Sequence, residues 1–233
     1  MLVVGLILGN SYFTAGAVSR LATEGGRSVS AKLQIEQYAA SIVLQFFMLF
    51  LVWVGLRLKR TRLREVIGGR WATVEDFLLD VAIAAAFWLL SLAVLYGLAR
   101  LLGLASPAQI QETKKLAMVL APQNSVALAF FACLSAVAGF VEEVIFRGYL
   151  QRQLGVLTGN MYAGLIASAL VFGAGHGYEG TRRMVLIFVY GLLFGLLALW
   201  RKSLRPGMMA HAWHDAIEGV VLFVVRKGLI PMR

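Results

Sequence analysis

The chain has 233 residues, of which 60% are hydrophobic and only 15% charged, and its mean hydropathy is +0.78. Soluble domains are nearer ~45–50% apolar and ~25% charged. So few charges cannot cover a water-soluble surface, and the high hydrophobicity excludes disorder. The composition therefore predicts a multi-spanning membrane protein, with the net charge of +10 placed at lipid headgroups. A nucleic-acid partner is not expected, because no zinc-finger or aromatic-basic RNA-binding pattern is present.

Seven apolar segments are candidate transmembrane helices, because crossing a bilayer takes ~20 mostly apolar residues. In chain order they are residues 1–18, 38–56, 77–99, 125–154, 161–175, 184–200 and 208–225. Asn10 and Ser11 weaken the first, so six to seven spans are expected. The predicted fold class is all-α: a polytopic transmembrane helical bundle with an intramembrane polar cavity. Residues 1–233 are interpreted as a single integral-membrane domain, with N-terminal spans and connections in 1–124.

The most basic segment, residues 57–70, follows the second span and carries six Arg or Lys side chains interleaved with apolar ones. This pattern predicts a short helix lying in the membrane interface. The density of basic residues near span ends favours a cytoplasmic position for this segment, together with Arg147, Arg152 and the basic residues of 201–205. If the protein is bacterial, the membrane is the inner (plasma) membrane.

Ionisable side chains inside the later spans are the candidate functional residues, because charge within hydrocarbon is costly and usually faces the interior of a bundle. The carboxylates are Glu142, Glu143, Asp215 and Glu218, and the histidines are His176, His211 and His214. The other acidic residues, including Asp80, are assigned to loops or span ends. For any single residue, a structural ion pair between helices is the alternative. Their concentration in 142–218 favours a site.

Glu142 and Glu143 are adjacent and therefore point ~100° apart on a helix. Glu143 and Arg147 are four residues apart on one face, in the favourable acid-before-base order. The simplest prediction pairs Arg147 with Glu143 and leaves Glu142 facing the interior as a general base. The alternative is that both carboxylates share the arginine.

Two further spacings of four residues place side chains on common helix faces. Phe172 and His176 share one face, and close backbone packing at Gly173 and Gly175 is expected to bring His176 towards the fourth span. His211 and Asp215 share another face, with His214 as the competitor for any role given to His211. A histidine with a same-face aspartate, near a second histidine and two glutamates, predicts a convergent site.

Three motifs on successive spans carry a family resemblance. Glu142-Glu143-Val-Ile-Phe-Arg147 matches EExxxR, Phe172-Gly-Ala-Gly-His176 matches FxxxH, and His211-Ala-Trp-His-Asp215 matches HxxxD. In this order they resemble the CAAX protease and bacteriocin-processing (Abi) family of intramembrane endopeptidases, related to the type II CAAX prenyl endopeptidase. The resemblance covers about residues 125–225, which it implies are the protease core.

The resemblance implies that Glu142 activates a water and that His176 helps to hold and polarise it. His211 and Asp215 would bind the oxyanion that develops on the scissile carbonyl, while Glu143 and Arg147 complete the first motif. The family accepts Asn or Asp at the last position of the third motif, which is Asp215 here. Because an ionised carboxylate cannot donate a hydrogen bond, either Asp215 is protonated or it orients His211 instead.

The same side chains allow a metal hypothesis, in which Glu142, His176, His211 and Asp215 hold Zn²⁺. HExxH is absent, and a glutamate mechanism without a metal or other cofactor is favoured. The expected substrate is a membrane-associated peptide or protein, either a lipidated CaaX-type tail or a bacteriocin-related chain, and the oligomeric state stays open. A proton-coupled transporter and an immunity or scaffold protein of the same fold are the alternative functions.

Overall fold

The computed structural model describes residues 2–23, 30–104, 106, 111, 118 and 121–229, with side chains of the first helix described as far as Tyr12. These residues form helices and connections, without a β-strand among them. The helices are α1 (Leu2–Thr23), α2 (Ala31–Leu58), α3 (Leu63–Ile67), α4 (Val74–Leu101), α5 (Ser125–Glu143), α6 (Gln151–Thr158), α7 (Met161–Gly175), α8 (Thr181–Arg201) and α9 (Arg205–Arg226). The all-α prediction is confirmed.

Five helices are long and apolar enough to cross a membrane, judged by length and composition: α2, α4, the continuous helix Ser125–Thr158, α8 and α9. Leu2–Tyr12 and α7 are shorter apolar helices. The prediction of six to seven spans is broadly consistent with this set, and the protein is an integral membrane protein. The observed helices extend beyond the predicted spans because polar residues at their ends, such as those of 31–37, continue the helix without continuing the hydropathy signal.

The starts of four helices follow from local sequence. Ser30, Thr73, Asn124 and Asn160 each precede a helix in extended conformation and accept a hydrogen bond from a first-turn N–H with the side chain. Such caps satisfy donors that the helix itself leaves unpaired, worth ~1 kcal/mol each. They fix the starts of α2, α4, α5 and α7, of which α2, α5 and α7 carry side chains of the site described below.

A π-helical segment, Val144–Leu150, interrupts the long helix Ser125–Thr158 immediately after the two glutamates. The wider turn is stabilised at the Phe146 carbonyl, which accepts hydrogen bonds from the Gln151 N–H and, at 2.8 Å, from the Ser168 hydroxyl of α7. π-Turns occur often at functional sites. The hydropathy pattern predicts a helix here but does not reveal the change in winding.

Close helix packing occurs at glycines, but not where it was predicted. A Cβ at Gly173 would lie 2.9 Å from the Met184 carbonyl of α8, and one at Gly175 would lie 2.8 Å from Ile7 of α1. The expected approach of these two glycines to the fourth span is therefore wrong. α7 approaches that span instead at Gly164, where a Cβ would lie 2.3 Å from the backbone nitrogen of Gly155.

One end of the bundle is held by a buried cluster that we call the Asp80 cluster: Asp80, Trp71, Arg201 and Arg205. Asp80 is in the second turn of α4, in agreement with its assignment to a span end, and its side chain is fully buried. Its carboxylate accepts from the Trp71 indole at 2.8 Å and pairs with Arg201 at 3.0 Å and Arg205 at 2.9 Å.

The basic segment 57–70 is attached to this same end. Its predicted short helix is present as α3, and the Ile67 carbonyl accepts from the Leu204 N–H at 2.9 Å. The Arg152 guanidinium donates to the Val66 carbonyl at 3.2 Å. Gly68 has φ 108, and a Cβ there would lie 2.6 Å from the Ser203 hydroxyl, so a larger residue would push the two loops apart. The basic residues of 57–70, 152 and 201–205 thus lie at one end, as predicted. Arg147 was predicted to lie with them, but its side chain is buried and paired with Glu143.

Candidate active site

The Glu143 carboxylate lies at the centre of a buried ion cluster between the long helix and α9. Its Oε1 accepts from the Arg147 guanidinium at 2.9 Å and from Nδ1 of His211 at 3.2 Å. The three side chains are between 1% and 6% exposed. The predicted pairing of Arg147 with Glu143 is confirmed. Because a carboxylate only accepts, His211 carries its hydrogen on Nδ1 in this contact, which fixes the orientation of the ring.

Aromatic rings and backbone groups hold the Arg147 guanidinium in place. It lies 4.4 Å from the centre of the Phe172 ring and 5.2 Å from that of Phe194, within range for cation–π attraction. It also donates to the Gly191 carbonyl of α8 at 3.3 Å. Arg147 therefore links the long helix, α7 and α8, and holds the Glu143 carboxylate next to His211.

Glu142 lies beside this cluster and is more accessible, with 18% of its side chain exposed. Its Oε2 is 3.8 Å from Nε2 of His211, and its Oε1 accepts from the Gln45 amide of α2 at 3.3 Å. The two adjacent glutamates are thus in different environments: one is buried and paired with arginine, the other faces a histidine and an amide. This is the division of roles that the helical spacing predicts.

Asp215 completes a carboxylate pair around the outer nitrogen of His211, with Oδ2 3.7 Å from Nε2. We call Glu142, Glu143, Arg147, His211 and Asp215 the His211 cluster. His214, the predicted competitor, instead lies with its ring 5.1 Å from that of Tyr190. Glu218 is on the exposed surface of α9, so its expected position inside the bundle is wrong.

His176 is at the end of α7, where Nδ1 donates to the Phe172 carbonyl at 2.9 Å. Since a carbonyl can only accept, Nε2 is left to bind another group. The Phe172 ring contacts both histidines, with centroids 5.0 Å from His176 and 6.2 Å from His211. His176 is therefore joined to the His211 cluster through Phe172, the first residue of its own motif.

The first helix holds the turn that follows His176. The Ser11 hydroxyl is buried, donates to the Ala174 carbonyl at 3.1 Å and accepts from the Gly177 N–H at 3.1 Å. Both bonded groups lie within two residues of His176, one before it and one after. Ser11 was considered only as a residue that weakens the first span, whereas its hydroxyl bridges the two sides of this turn.

Two tyrosines close to the site were not predicted. Burial raises the pKa of Tyr178 well above its ordinary 10.0, and the charges of Glu179, Glu142 and Asp215 raise it further, so the phenol stays protonated. Tyr190 is 7% exposed, and among the described residues its hydroxyl has no hydrogen-bond partner. Both are neutral donors close to carboxylates. Tyrosines are common in transmembrane segments, so the presence of these two in the sequence does not indicate a functional site.

Gln45 was also missed, although the sequence contains a signal for it. It is an amide inside a continuous apolar run, and only charged residues and histidines were considered as markers of a site. Polar side chains within a transmembrane helix usually face the bundle interior and form hydrogen bonds there, and Gln45 donates to Glu142. The pattern of α2 alone could not identify Glu142, which is 97 positions away, as the partner of Gln45.

The four residues of the zinc hypothesis were tested by position. Within the described part of the chain, no group of three or more His, Cys, Asp or Glu side chains is placed to hold a metal ion. Glu142 and Asp215 do approach the same histidine nitrogen, at 3.8 and 3.7 Å. In this arrangement the side chains named in the zinc hypothesis do not form a zinc site.

Comparison with known protein families identifies one match. Residues 124–217 match the family model described as type II CAAX prenyl endopeptidase Rce1-like. The match covers less than half of the chain and contains all three motifs, so the resemblance inferred from them is confirmed over this segment. The comparison with curated proteins gave no match, and neither did the comparison with solved structures.

Proposed function

Because residues 124–217 match the Rce1-like family of CAAX prenyl endopeptidases, we propose that this protein is an intramembrane endopeptidase that hydrolyses a peptide bond of a membrane-associated substrate. The observation that carries the proposal is the meeting of two motifs at one atom. Nε2 of His211 lies 3.8 Å from Glu142 and 3.7 Å from Asp215. A carboxylate base beside a fixed imidazole is an arrangement suited to activating water.

Glu142 is the general base in this mechanism. It takes one proton from a water molecule as the water oxygen bonds to the scissile carbonyl carbon, and the proton then passes to the leaving amine. A well-placed base accelerates such a step by roughly 10²–10⁴-fold. Its partial exposure, against the near-complete burial of Glu143, supports this choice between the two glutamates. Nε2 of His176 is available to hold the same water.

His211 is doubly protonated in this mechanism, because Nδ1 donates to Glu143 and Nε2 must donate as well. Nε2 stabilises the developing oxyanion, on the side of the ring away from Glu143. Donors that are already aimed at the developing charge act strongly in a water-poor site. Glu143 and Arg147 are positioning residues here, because Glu143 binds Nδ1 of His211 and Arg147 binds Glu143. Asp215, 3.7 Å from Nε2, orients the His211 ring through charge.

The first test is cleavage by the purified protein in lipid nanodiscs. We expect hydrolysis of a synthetic peptide with a farnesylated CaaX end, or of a bacteriocin-related precursor peptide, with the new termini located by mass spectrometry. Glu142→Gln keeps the size and the contact with Gln45 but cannot take a proton, so cleavage should fall at least roughly 10²-fold. Glu36→Gln, an exposed carboxylate on α2, is the matched control. Equal cleavage by Glu142→Gln and wild type would contradict the proposal.

Chelation tests the choice of a glutamate mechanism over a zinc mechanism. We expect full activity after dialysis against a strong chelator, because the proposed steps use only side chains of the chain. Activity that is lost on dialysis and restored by zinc would establish the metal mechanism instead. If the protein were a transporter, substrate would enter liposomes and no cleaved product would form, either before or after dialysis against the chelator.

A further inference from the structure

Gln45 is an unusual residue for its position in α2. Between Ser41 and Arg57 the helix is otherwise apolar, apart from the indole of Trp53. The Gln45 side chain is nonetheless buried in the bundle, with the residue 9% exposed. An amide at this depth costs free energy unless its polar atoms are paired. Its position outside residues 124–217 also means that the family match gives it no role.

The amide nitrogen of Gln45 is paired and the amide oxygen is not. Nε2 donates to Oε1 of Glu142 at 3.3 Å, and this orientation is required because the amide oxygen would be repelled by the carboxylate. Oε1 of Gln45 is buried and has no hydrogen-bond partner among the described residues. A buried acceptor without a partner costs ~1–3 kcal/mol. Such atoms are rare in folded proteins, and one next to a reactive group indicates a bound molecule.

We infer that Gln45 is a further catalytic residue, whose Oε1 accepts a hydrogen bond from the water that Glu142 activates. This inference rests on the proposed function. The oxygen and nitrogen of the amide share one carbon, so a water that donates to Oε1 is also within reach of the carboxylate that Nε2 binds. One molecule can therefore bridge the two side chains.

This bridge determines the direction of attack. Water has two protons: Glu142 takes one, and the other stays on the oxygen and donates to Gln45. With both protons engaged, a lone pair of the water oxygen is directed at the carbonyl carbon. The carbon–oxygen bond forms, the carbon–nitrogen bond breaks, and the abstracted proton goes to the amine. Gln45 neither gains nor loses a proton, so it acts by orienting the nucleophile.

Gln34 provides a matched control on the same helix. It is also buried, at 2% exposure. Its Nε2 donates to the Ala121 carbonyl at 3.0 Å, and its Oε1 accepts from the Gln123 N–H at 3.1 Å. Gln34 therefore has partners for both ends of its amide and ties α2 to the chain before α5. Loss of this amide tests structural support without touching Glu142.

The experiment compares Gln45→Met and Gln34→Met in nanodiscs with the peptide that wild type cleaves. Methionine keeps the length of glutamine but removes the acceptor and the donor. For Gln45→Met we expect kcat to fall roughly 10²-fold, because the water loses its orientation. KM should be unchanged, and the midpoint of thermal unfolding should change little, because Gln45 makes one hydrogen bond within the chain, to a partly exposed carboxylate, where Gln34 makes two. For Gln34→Met we expect the reverse: lower thermal stability and unchanged kcat.

Gln45→Glu tests whether position 45 lies beside the base. A second carboxylate beside Glu142 makes the pair hold a proton to higher pH, so the acidic limb of the kcat–pH profile should move upwards. The fall in kcat of Gln45→Met at unchanged KM and thermal midpoint is the result that a purely structural Gln45 would not give. Wild-type kcat in Gln45→Met, or an unmoved profile in Gln45→Glu, overturns the inference while cleavage by wild type still stands. Absence of cleavage by wild type overturns the proposed function, and the inference with it.

Discussion

Asp80 and Glu143 are both buried carboxylates that bind two cationic side chains, but the surroundings of the two clusters differ. Both oxygens of Asp80 are used: Oδ1 binds Arg201, and Oδ2 binds Arg205 and the Trp71 indole. Next to the His211 cluster, the acceptor of Gln45 and the hydroxyl of Tyr190 have no hydrogen-bond partner among the described residues. In the Asp80 cluster the corresponding atom is Nη1 of Arg205, which can only donate. The two regions therefore differ in the kind of group left without a partner: an acceptor for a water proton lies beside Glu142, and only a donor lies beside Asp80.

The difference shows that buried charge alone does not identify a reactive site. By burial, Asp80 is the more extreme of the two carboxylates, at 0% against 1% exposure. The two carboxylates differ in the side chain that lies beside each of them. Glu143 is followed in the helix by its arginine and preceded by Glu142, which is partly exposed and faces His211. A buried atom without a partner does not identify a reactive site by itself either, because Arg205 of the Asp80 cluster also has one; the partly exposed carboxylate beside a histidine is what the Asp80 cluster lacks.

The largest effect is expected for Glu143→Gln. The substitution leaves Arg147 and His211 buried without their shared carboxylate, and breaking a buried pair typically costs ~3–5 kcal/mol. Both the midpoint of thermal unfolding in nanodiscs and the cleavage rate should fall. The double variant Glu143→Leu with Arg147→Met should regain stability, because apolar side chains can replace a buried pair. Cleavage should stay low in the double variant, since His211 has lost its anchor; restored cleavage would contradict the positioning role.

A smaller effect, on stability alone, is expected for Asp80→Asn. The loss should be less than the ~3–5 kcal/mol typical of a fully buried pair, because water can reach Arg201, whose side chain is 27% exposed. The kcat of the folded protein should be unchanged. The check is thermal unfolding together with kcat per folded molecule. A large fall in kcat at unchanged stability would mean that the Asp80 cluster takes part in the reaction. The distinction between a structural Asp80 cluster and a catalytic His211 cluster would then be wrong.

The smallest effect is expected for Ser11→Ala. Two hydrogen bonds to the turn around His176 are lost, each worth ~1 kcal/mol. We expect a modest fall in kcat with little change in KM, because His176 is less firmly held. Ser11→Thr keeps the hydroxyl and should retain activity. Ser41→Ala is the control, since its hydroxyl makes an exposed bond within α2; an equal loss in both variants would mean that the Ser11 contact is not specific.

Interactions within one helix were predictable from the sequence. The fixed geometry of a helix predicts the Glu143–Arg147 pair and the shared face of His211 and Asp215, and both are confirmed. Hydropathy predicts the long helices well, because an apolar run in lipid has few alternatives to helix. The boundaries of α7 agree to the residue.

Interactions between helices could not be predicted in the same way. The contacts of Gln45, Ser11 and Asp80 join residues 97 to 166 positions apart. Which face of one helix meets which other helix depends on packing of the whole bundle, and a single sequence contains no direct measure of it. The wrong prediction for Gly173 and Gly175 has the same cause. A small residue predicts close packing but does not show which helix packs against it.

The attachment of segment 57–70 to the start of α9 relates the depth of the proposed site to the basic segment. Arg205 in the Asp80 cluster and His211 are six residues apart on α9, which at 1.5 Å per residue is about 9 Å. If the basic segment lies at the headgroups and α9 runs along the bilayer normal, His211 is about 9 Å into a hydrocarbon core whose half-thickness is ~15 Å. The proposed site would then lie within a single leaflet. A membrane-associated substrate would reach Glu142 from that side without crossing the bilayer.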